Sequence, residues 1–241
     1  MEHQFIDKAL FFPEKGILVI GDLHIGYEYQ LQQSGVLVPE HQIKEMIEEL
    51  KKIFEKIKKE NKIMKKIIFL GDIKHSFAYE WKEKNYFNEV IDFLKKYFKE
   101  KDIILIKGNH DTIDYSFGKM KKYYVEDDIA FLHGHELFLQ VLDKKIKTIV
   151  MRHLHPSVLI TEKHGVKKEK YKCFLTGKFK GKEIIILPSF LGMIEGTTVN
   201  DYNESYESYF SIIPKKTLMN LEVHAVGEDK VYDFGKVKNL A

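Results

Sequence analysis

Histidine, aspartate and asparagine gather at five places along the chain, each directly after a short apolar run. The five polar segments are Gly21-Asp22-Leu23-His24, Gly71-Asp72-Ile73-Lys74-His75, Gly108-Asn109-His110-Asp111, His133-Gly134-His135 and Arg152-His153-Leu154-His155-Pro156. Seven of the 11 histidines lie in these segments, a clustering that chance scatter does not produce. Side chains of these types bind divalent ions and move protons near neutral pH.

The donor atoms of these segments are nitrogen and oxygen, without a thiolate. The candidate metal ligands are Asp22, His24, Asp72, Asn109, His133, His153 and His155. Seven ligands exceed what one tetrahedral zinc ion takes and suit a pair of ions that share a carboxylate. In an extended chain Asp22 and His24 point the same way, and so do His153 and His155. The sequence therefore predicts a dinuclear site built from strand ends.

The apolar patterns between the polar segments predict the elements that must position them. Continuous apolar runs over 17–20, 67–70 and 103–106 indicate buried strands, and apolar spacings of three and four residues predict helices over 43–57 and 87–98. This alternation predicts parallel strands with right-handed crossovers. Open α/β sheets bind their ligands at the carboxyl ends of the strands, which is where the polar segments fall.

The second half of the sequence has a different pattern. Short strands over 129–132 and 148–151 have no long helix between them, and paired strands are predicted over 171–187, with a turn at Gly181, and over 221–234. We expect one domain, 1–241, with an α/β fold: a two-sheet sandwich flanked by helices (α/β/β/α). The metal motifs lie within 17–156, and the β-rich part 157–241 is expected to pack on the second sheet.

The composition excludes several classes of protein. The 241 residues are 44% hydrophobic and 31% charged, as in soluble globular proteins, and the net charge of +3 is not a strong basic excess. A single cysteine, Cys173, excludes an intrachain disulfide and a Cys-rich zinc site. The charged N-terminus is unlike a signal peptide and no run reaches about 18 apolar residues, so we expect a cytoplasmic protein without a membrane partner. The sequence leaves a homodimer open.

The ordered set D-x-H, G-D, G-N-H-D, H and H-x-H resembles the calcineurin-like metallophosphoesterase family over residues from about 17 to 156. The position of His75, three residues after Asp72, is most similar to the archaeal SbcD-related phosphoesterases, small relatives of a double-strand-break repair exonuclease. The resemblance implies that one ion is held by Asp22, His24 and His155, the other by Asn109, His133 and His153, and that Asp72 bridges the two. It also implies that His110 contacts the phosphate and protonates the leaving oxygen, while Asp111 orients His110.

The resemblance implies a dinuclear phosphoesterase that cleaves a phosphodiester by attack of metal-bridged hydroxide, with His110 as general acid. We expect nucleic acid, DNA or RNA, as the first candidate substrate. Mn²⁺ is the expected ion for this hard donor set, with Fe, Zn and Ni as alternatives. One alternative function is a phosphodiesterase or phosphatase for cyclic or other small nucleotides. The other is a non-catalytic scaffold of the same fold, against which the complete ligand set argues.

Three further residues of the polar segments have open roles. His75 either orients the substrate phosphate or packs over Asp72. His135 alternates toward the site, but the family motif needs one histidine here, so we expect an outer or surface position. Arg152 stands where the family usually has glycine and alternates away from the neighbouring histidines in an extended chain. That leaves a solvent-exposed or structural arginine, or a phosphate-binding arginine at the rim of the site.

Overall fold

The computed structural model describes residues 2–76, 80–112, 119–161, 168–201 and 212–240. The chain divides into two compact units, residues 1–122 and 123–241, each built around one sheet. Among the described residues, no helix combines the length and the apolar composition that crossing a membrane requires.

Within the described part of the first unit, the sheet has five strands: β1 (Gln4–Ile6), β2 (Ala9–Phe12), β3 (Ile17–Ile20), β4 (Lys66–Phe69) and β5 (Ile103–Leu105). They lie in this order, with β1, β2 and β3 antiparallel and β3, β4 and β5 parallel. The three predicted parallel strands are confirmed. The antiparallel strands β1 and β2, which the sequence analysis did not predict, make the sheet mixed.

The described residues of this unit also form the α-helices α1 (Tyr27–Gln33), α2 (Gln42–Lys59) and α3 (Trp81–Leu94). The two predicted helices are α2 and α3, each the crossover between parallel strands. Lysine and glutamate fill the solvent face of α2, while its apolar stripe is buried. Phe54 of this stripe stacks on Phe93 of α3 with ring centroids 5.9 Å apart. Burial of this stripe, rather than intrinsic helix propensity, accounts for most of the stability of such a helix.

In the second unit, the residues that the structure describes form a sheet of nine strands: β6 (Tyr123–Glu126), β7 (Ile129–Leu132), β8 (Thr148–Met151), β9 (Pro156–Thr161), β10 (Lys168–Phe179), β11 (Lys182–Ile186), β12 (Thr197–Thr198), β13 (Glu222–Val226) and β14 (Val231–Lys236). The order is β12-β9-β10-β11-β8-β7-β6, with β13 pairing β10 and β14 pairing β13. The predicted hairpins β10–β11 and β13–β14 are confirmed. A short helix, α4 (Lys215–Leu218), precedes β13.

The two mixed sheets with their helices confirm the predicted fold class. One detail of the prediction is wrong: the strands of the β-rich part 157–241 do not pack on the second sheet but belong to it. Strand β11 is the parallel neighbour of β8, and β9, β10 and β13 continue the same sheet. Side chains of this sheet form a buried apolar cluster, which includes Cys173, Phe179 and Val223.

Candidate metal centre

The segments that follow β3 and β4 are held side by side by backbone hydrogen bonds. The amide of His24 donates to the Asp72 carbonyl at 2.9 Å, and the amide of His75 donates to the Ile25 carbonyl at 3.0 Å. Because the two strands are parallel neighbours, their carboxyl ends meet at one edge of the sheet, and the pairing continues beyond it. The polar segments of the first unit therefore start from a fixed backbone.

Three buried side chains converge at this edge. The Nε2 atom of His24 lies 3.4 Å from Asp22 Oδ2 and 3.9 Å from Asp72 Oδ2. The backbone is not extended here, because His24 and Asp72 have φ of 42° and 50°. The expected strand-like alternation of the side chains is therefore wrong. Asp22 and His24 nevertheless lie close together, as that expectation required. Left-handed backbone at a non-glycine residue costs about 1–3 kcal/mol, which surrounding contacts must offset.

The segment after β5 approaches Asp72 closely, which requires a glycine. A Cβ atom at Gly108 would lie 2.1 Å from Asp72 Oδ1. The same oxygen accepts a hydrogen bond from the His110 amide at 3.1 Å. Asn109, between these two residues, is exposed. One oxygen of Asp72 is thus fixed by backbone, while the other faces His24.

Three imidazole rings form a cluster: His24, His75 and His110 each offer a ring nitrogen within 4.8 Å of the others. His75 Nδ1 lies 3.4 Å from His24 Nδ1, and the His75 ring stacks on His110 with centroids 5.6 Å apart. Burial, and next the charge of His110, lower the pKa of His75 to about 4. His75 is therefore a neutral imidazole at neutral pH, and its ring lies next to both of the others.

The orientation of the His110 ring follows from one contact. Its Nδ1 atom lies 2.9 Å from the backbone carbonyl oxygen of His75. A carbonyl oxygen only accepts, so Nδ1 must carry a proton in this arrangement. The second proton of a charged His110 is then on Nε2, on the other side of the ring.

Asp111 is fully buried and bonded to backbone amides. Its carboxylate accepts from Gly108 at 2.8 Å, from Ile73 at 3.0 Å and from Lys74 at 3.2 Å. Burial, and next the charge of Asp72, raise the pKa of Asp111 to about 6. The family resemblance implies that Asp111 orients His110. Its hydrogen bonds tie the segment after β5, which carries His110, to the segment after β4.

In the second unit, histidines follow the parallel neighbours β7 and β8. His133 Nε2 lies 3.0 Å from His153 Nδ1. The ring of His135 lies 5.0 Å from that of His133 and 6.0 Å from that of His153, so it flanks this pair. Gly134 has φ of 113°, and a Cβ there would lie 2.9 Å from the Arg152 carbonyl oxygen. The close approach of the two strand ends therefore needs glycine at this position.

The H-x-H segment is not extended either. His153 and His155 have φ of 74° and 48°. The His155 carbonyl accepts a hydrogen bond from the Thr197 amide at 2.7 Å, which fixes the segment against β12. Arg152 is fully buried, and its Nη2 donates to Nε2 of His155. Arg152 is therefore not solvent-exposed, and its burial agrees with the structural alternative. The expected alternation of its side chain away from His155 is wrong, because the backbone is turned here.

The donor chemistry within each unit fits divalent ions. Two ligands bonded to one ion at about 2.0–2.2 Å lie roughly 3 Å apart. The separations around His24 and between His133 and His153 are of this size. The donors are imidazole nitrogen and carboxylate oxygen, which suit zinc, manganese, iron or nickel.

Gln42 is a residue of this region that the sequence analysis missed. Its buried side chain donates to the carbonyls of His24 at 2.7 Å and Leu23 at 3.1 Å, and accepts from the Gly26 amide at 3.2 Å. The sequence did contain an indication of this residue, since Gln42 lies four residues before Met46 on the buried stripe of α2. A polar side chain on an apolar helix face usually has a partner inside the protein.

Lys74, a buried lysine close to two carboxylates, was also missed. Lys74 is 1% exposed and lies near the charges of Glu83 and Asp111. Glu83 accepts a hydrogen bond from the Ser76 amide at 2.8 Å. Burial lowers the pKa of Lys74, and the two carboxylates oppose that effect. In the sequence, Lys74 is one lysine among many, so no pattern distinguished it.

Comparison with known proteins gives one family and several similar folds. The model of the calcineurin-like phosphoesterase family matches residues 16–209. The crystal structure of the nuclease MPE of Pseudomonas putida is similar, with a TM-score of 0.60, 18% sequence identity, and coverage of 95% of this chain and 92% of that chain. Zinc-complexed Vps29 of Entamoeba histolytica gives a TM-score of 0.40 at 13% identity, with 90% and 96% coverage. A search of curated proteins finds no match to the sequence.

A single family match spans residues of both units, as expected for one domain with two sheets. The similarity to the Pseudomonas nuclease covers nearly all of both chains and shows a shared fold. The matched range contains every polar strand-end segment. This chain belongs to the calcineurin-like phosphoesterase family.

Proposed function

We propose that this phosphoesterase hydrolyses phosphodiester bonds in nucleic acid with the help of two divalent ions. The observation that carries the proposal is the hydrogen bond between His110 Nδ1 and the His75 carbonyl, which leaves Nε2 as the proton donor of a charged His110. The leaving group of a phosphodiester in nucleic acid departs as an alkoxide, which needs such a proton. Histidine titrates near neutral pH and can supply it.

The proposal assigns the ions to the residues that match the family motifs. One ion would be held by Asp22, His24 and His155, the other by Asn109, His133 and His153, with Asp72 shared. The close spacing of donors within each unit supports this assignment. Mn²⁺ is the proposed ion, and Fe, Zn and Ni suit the same donors. When bound, such a pair supplies positive charge to the phosphate and lowers the pKa of water toward about 7.

The chain's own residues prepare this chemistry. His75 is neutral, so it does not attract phosphate by charge; it lies against His24 and holds His110 through its carbonyl oxygen. We therefore propose that His75 positions its two neighbours rather than binding substrate. Asp111 fixes the segment that carries His110 through backbone amides.

Nucleic acid is the proposed substrate class on two grounds. The placement of His75 three residues after Asp72 resembles the SbcD-related branch, and a protein with a similar fold is named a nuclease. The competing proposal is a phosphodiesterase for small nucleotides, and the test below distinguishes the two.

The test is a substrate panel with metal-stripped protein and added Mn²⁺. The substrates are a chromogenic diester, a monoester, cyclic nucleotides, and single- and double-stranded DNA and RNA. We expect Mn²⁺-dependent cleavage of the diester and of a nucleic acid, with binding of the nucleic acid that weakens steeply with salt. The Asp72→Asn variant, which removes the shared carboxylate, should bind less metal and lose turnover. Turnover of cyclic nucleotides alone would favour the small-molecule function, and no metal-dependent turnover at all would refute the proposal.

A further inference from the structure

The buried arginine beside the H-x-H segment is unusual in this chain. Arg152 is the only arginine among 39 basic residues, and its side chain is fully buried. Its guanidinium donates through Nη2 to Nε2 of His155, and its backbone amide donates to the His133 carbonyl at 3.0 Å. A buried cation is costly unless it is compensated, so its contacts indicate its role.

The contact fixes which atoms of His155 hold protons. A guanidinium carries only donors, so Nε2 of His155 must present a lone pair to it. A neutral imidazole has one protonated nitrogen, and in His155 this is then Nδ1. In this arrangement Nε2 of His155 is occupied by Arg152 and cannot bind an ion at the same time.

We propose that Arg152 competes with a metal ion for His155, so that the ion held by His155 is the weaker of the two. This inference rests on the proposed dinuclear function, because it needs His155 to be a metal ligand. An ion can bind there only after the guanidinium gives up the lone pair. The positive charge of Arg152 then lies next to the incoming cation and further lowers its affinity.

The backbone around His155 is fixed, so the competition concerns side chains. The His155 carbonyl is bonded to the Thr197 amide, and a Cβ on Gly196 would lie 2.3 Å from the same oxygen. The exchange between arginine and ion is therefore a side-chain rotation. Arginine suits this role better than lysine, because a buried lysine can lose its proton while a guanidinium does not.

The test measures Mn²⁺ binding to metal-free protein by calorimetry, with bound metal counted by elemental analysis. Arg152→Met keeps much of the side-chain length without charge, and Arg152→Gly removes the side chain. We expect the unsubstituted protein to bind one ion tightly and one weakly, and both variants to tighten the weak site by about 10- to 100-fold, the value of one hydrogen bond to a charged group. Lys182→Met is the matched control, because Lys182 is another buried cation, bonded to the carbonyls of Asp143 and Ile146 at 2.7 Å. It should leave both affinities unchanged.

A second measurement reads the protonation of His155 directly. Long-range ¹H–¹⁵N spectra of the metal-free protein, assigned with a His155→Gln variant, should show the Nδ1–H form, and Arg152→Met should change that pattern. Equal Mn²⁺ affinities in the unsubstituted protein and in folded variants would overturn the inference, as would weaker binding in the variants. Tightened binding without turnover of any substrate would instead contradict the proposed function and leave the competition intact.

Discussion

The side-chain amide of Gln42 donates a hydrogen bond to the backbone carbonyl of His24 at 2.7 Å. The same side chain also bonds Leu23 and Gly26, so it joins the first turn of α2 to the whole segment after β3. Glu28 strengthens the connection, since its carboxylate accepts from the amide of Gln42 at 2.8 Å. These bonds hold His24 in its left-handed backbone conformation, which a non-glycine residue otherwise avoids.

We expect Gln42→Leu to weaken metal binding without touching a ligand. Leucine has a similar size but removes the donor to the Leu23 carbonyl and the acceptor of the Gly26 amide. The His24 carbonyl loses the bond from Gln42 and keeps the one from the Tyr27 amide at 3.1 Å. The variant should lose about 1–3 kcal/mol of unfolding free energy per unpaired buried group, measured by urea denaturation, and should bind Mn²⁺ more weakly. Gln33→Leu, at an exposed glutamine of α1, is the control and should do neither. Unchanged Mn²⁺ affinity in a folded Gln42→Leu protein would contradict the positioning role.

Asp111 offers a second test of how backbone amides fix this region. In Asp111→Asn one acceptor oxygen becomes an NH₂ group, so the side chain loses either the bond from Gly108 or the two bonds from Ile73 and Lys74. We expect a loss of about 1–3 kcal/mol in unfolding free energy, with the pH dependence of turnover keeping its shape. If the variant instead keeps its stability and shifts the pH profile, Asp111 acts on the His110 ring and not on the backbone.

The sequence was sufficient to predict the parallel strands and the polar strand ends, because both depend on local patterns. Apolar runs and helical spacing predict the elements, and parallel neighbours bring their carboxyl ends together. The predicted directions of the side chains were wrong for a physical reason. Alternation assumes extended backbone, whereas His24, Asp72, His153 and His155 are left-handed, held by hydrogen bonds from distant segments.

Gln42 and the backbone partners of Asp111 were missed because these partners are distant in sequence. Gln42 lies 18 residues from His24, and Asp111 lies 38 residues from Ile73. The contact of Arg152 with His155 was not predicted, because the same assumption of alternation directed the arginine side chain away from the histidines. A polar residue on an apolar helix stripe is the kind of signal that finds a residue such as Gln42.

Cys173 should resist modification as long as the protein is folded. It lies on β10 and is fully buried, and burial raises the pKa of its thiol. An unfolded cysteine becomes a thiolate above about pH 8.5, but in the folded protein the reactive form is suppressed even there. We expect iodoacetamide at pH 9 to label Cys173 only at the rate of unfolding, and fully in urea. A Ser34→Cys variant supplies an exposed thiol that should react at once, and equally fast labelling of Cys173 in the folded protein would contradict its burial.

The strongest test of the mechanism concerns His110 and the leaving group. With Nδ1 held by the His75 carbonyl, His110 acts through Nε2, and a general acid contributes most where the leaving oxygen needs a proton. We expect His110→Ala to keep both Mn²⁺ ions and to lose about 100- to 10,000-fold in turnover of a DNA diester. The loss should be much smaller for a nitrophenyl diester, because nitrophenolate leaves without protonation.

His41→Ala is the matched control, since His41 is an exposed histidine of the same unit. It should leave both substrates unaffected. An equal loss on the two diesters would show that His110 binds the phosphate instead of protonating the leaving oxygen. A loss of metal would place His110 among the ligands, in line with its position 5.2 Å from the ring of His24. The combination of retained metal and a leaving-group-dependent loss is therefore what distinguishes an acid from a ligand in this cluster of three histidines.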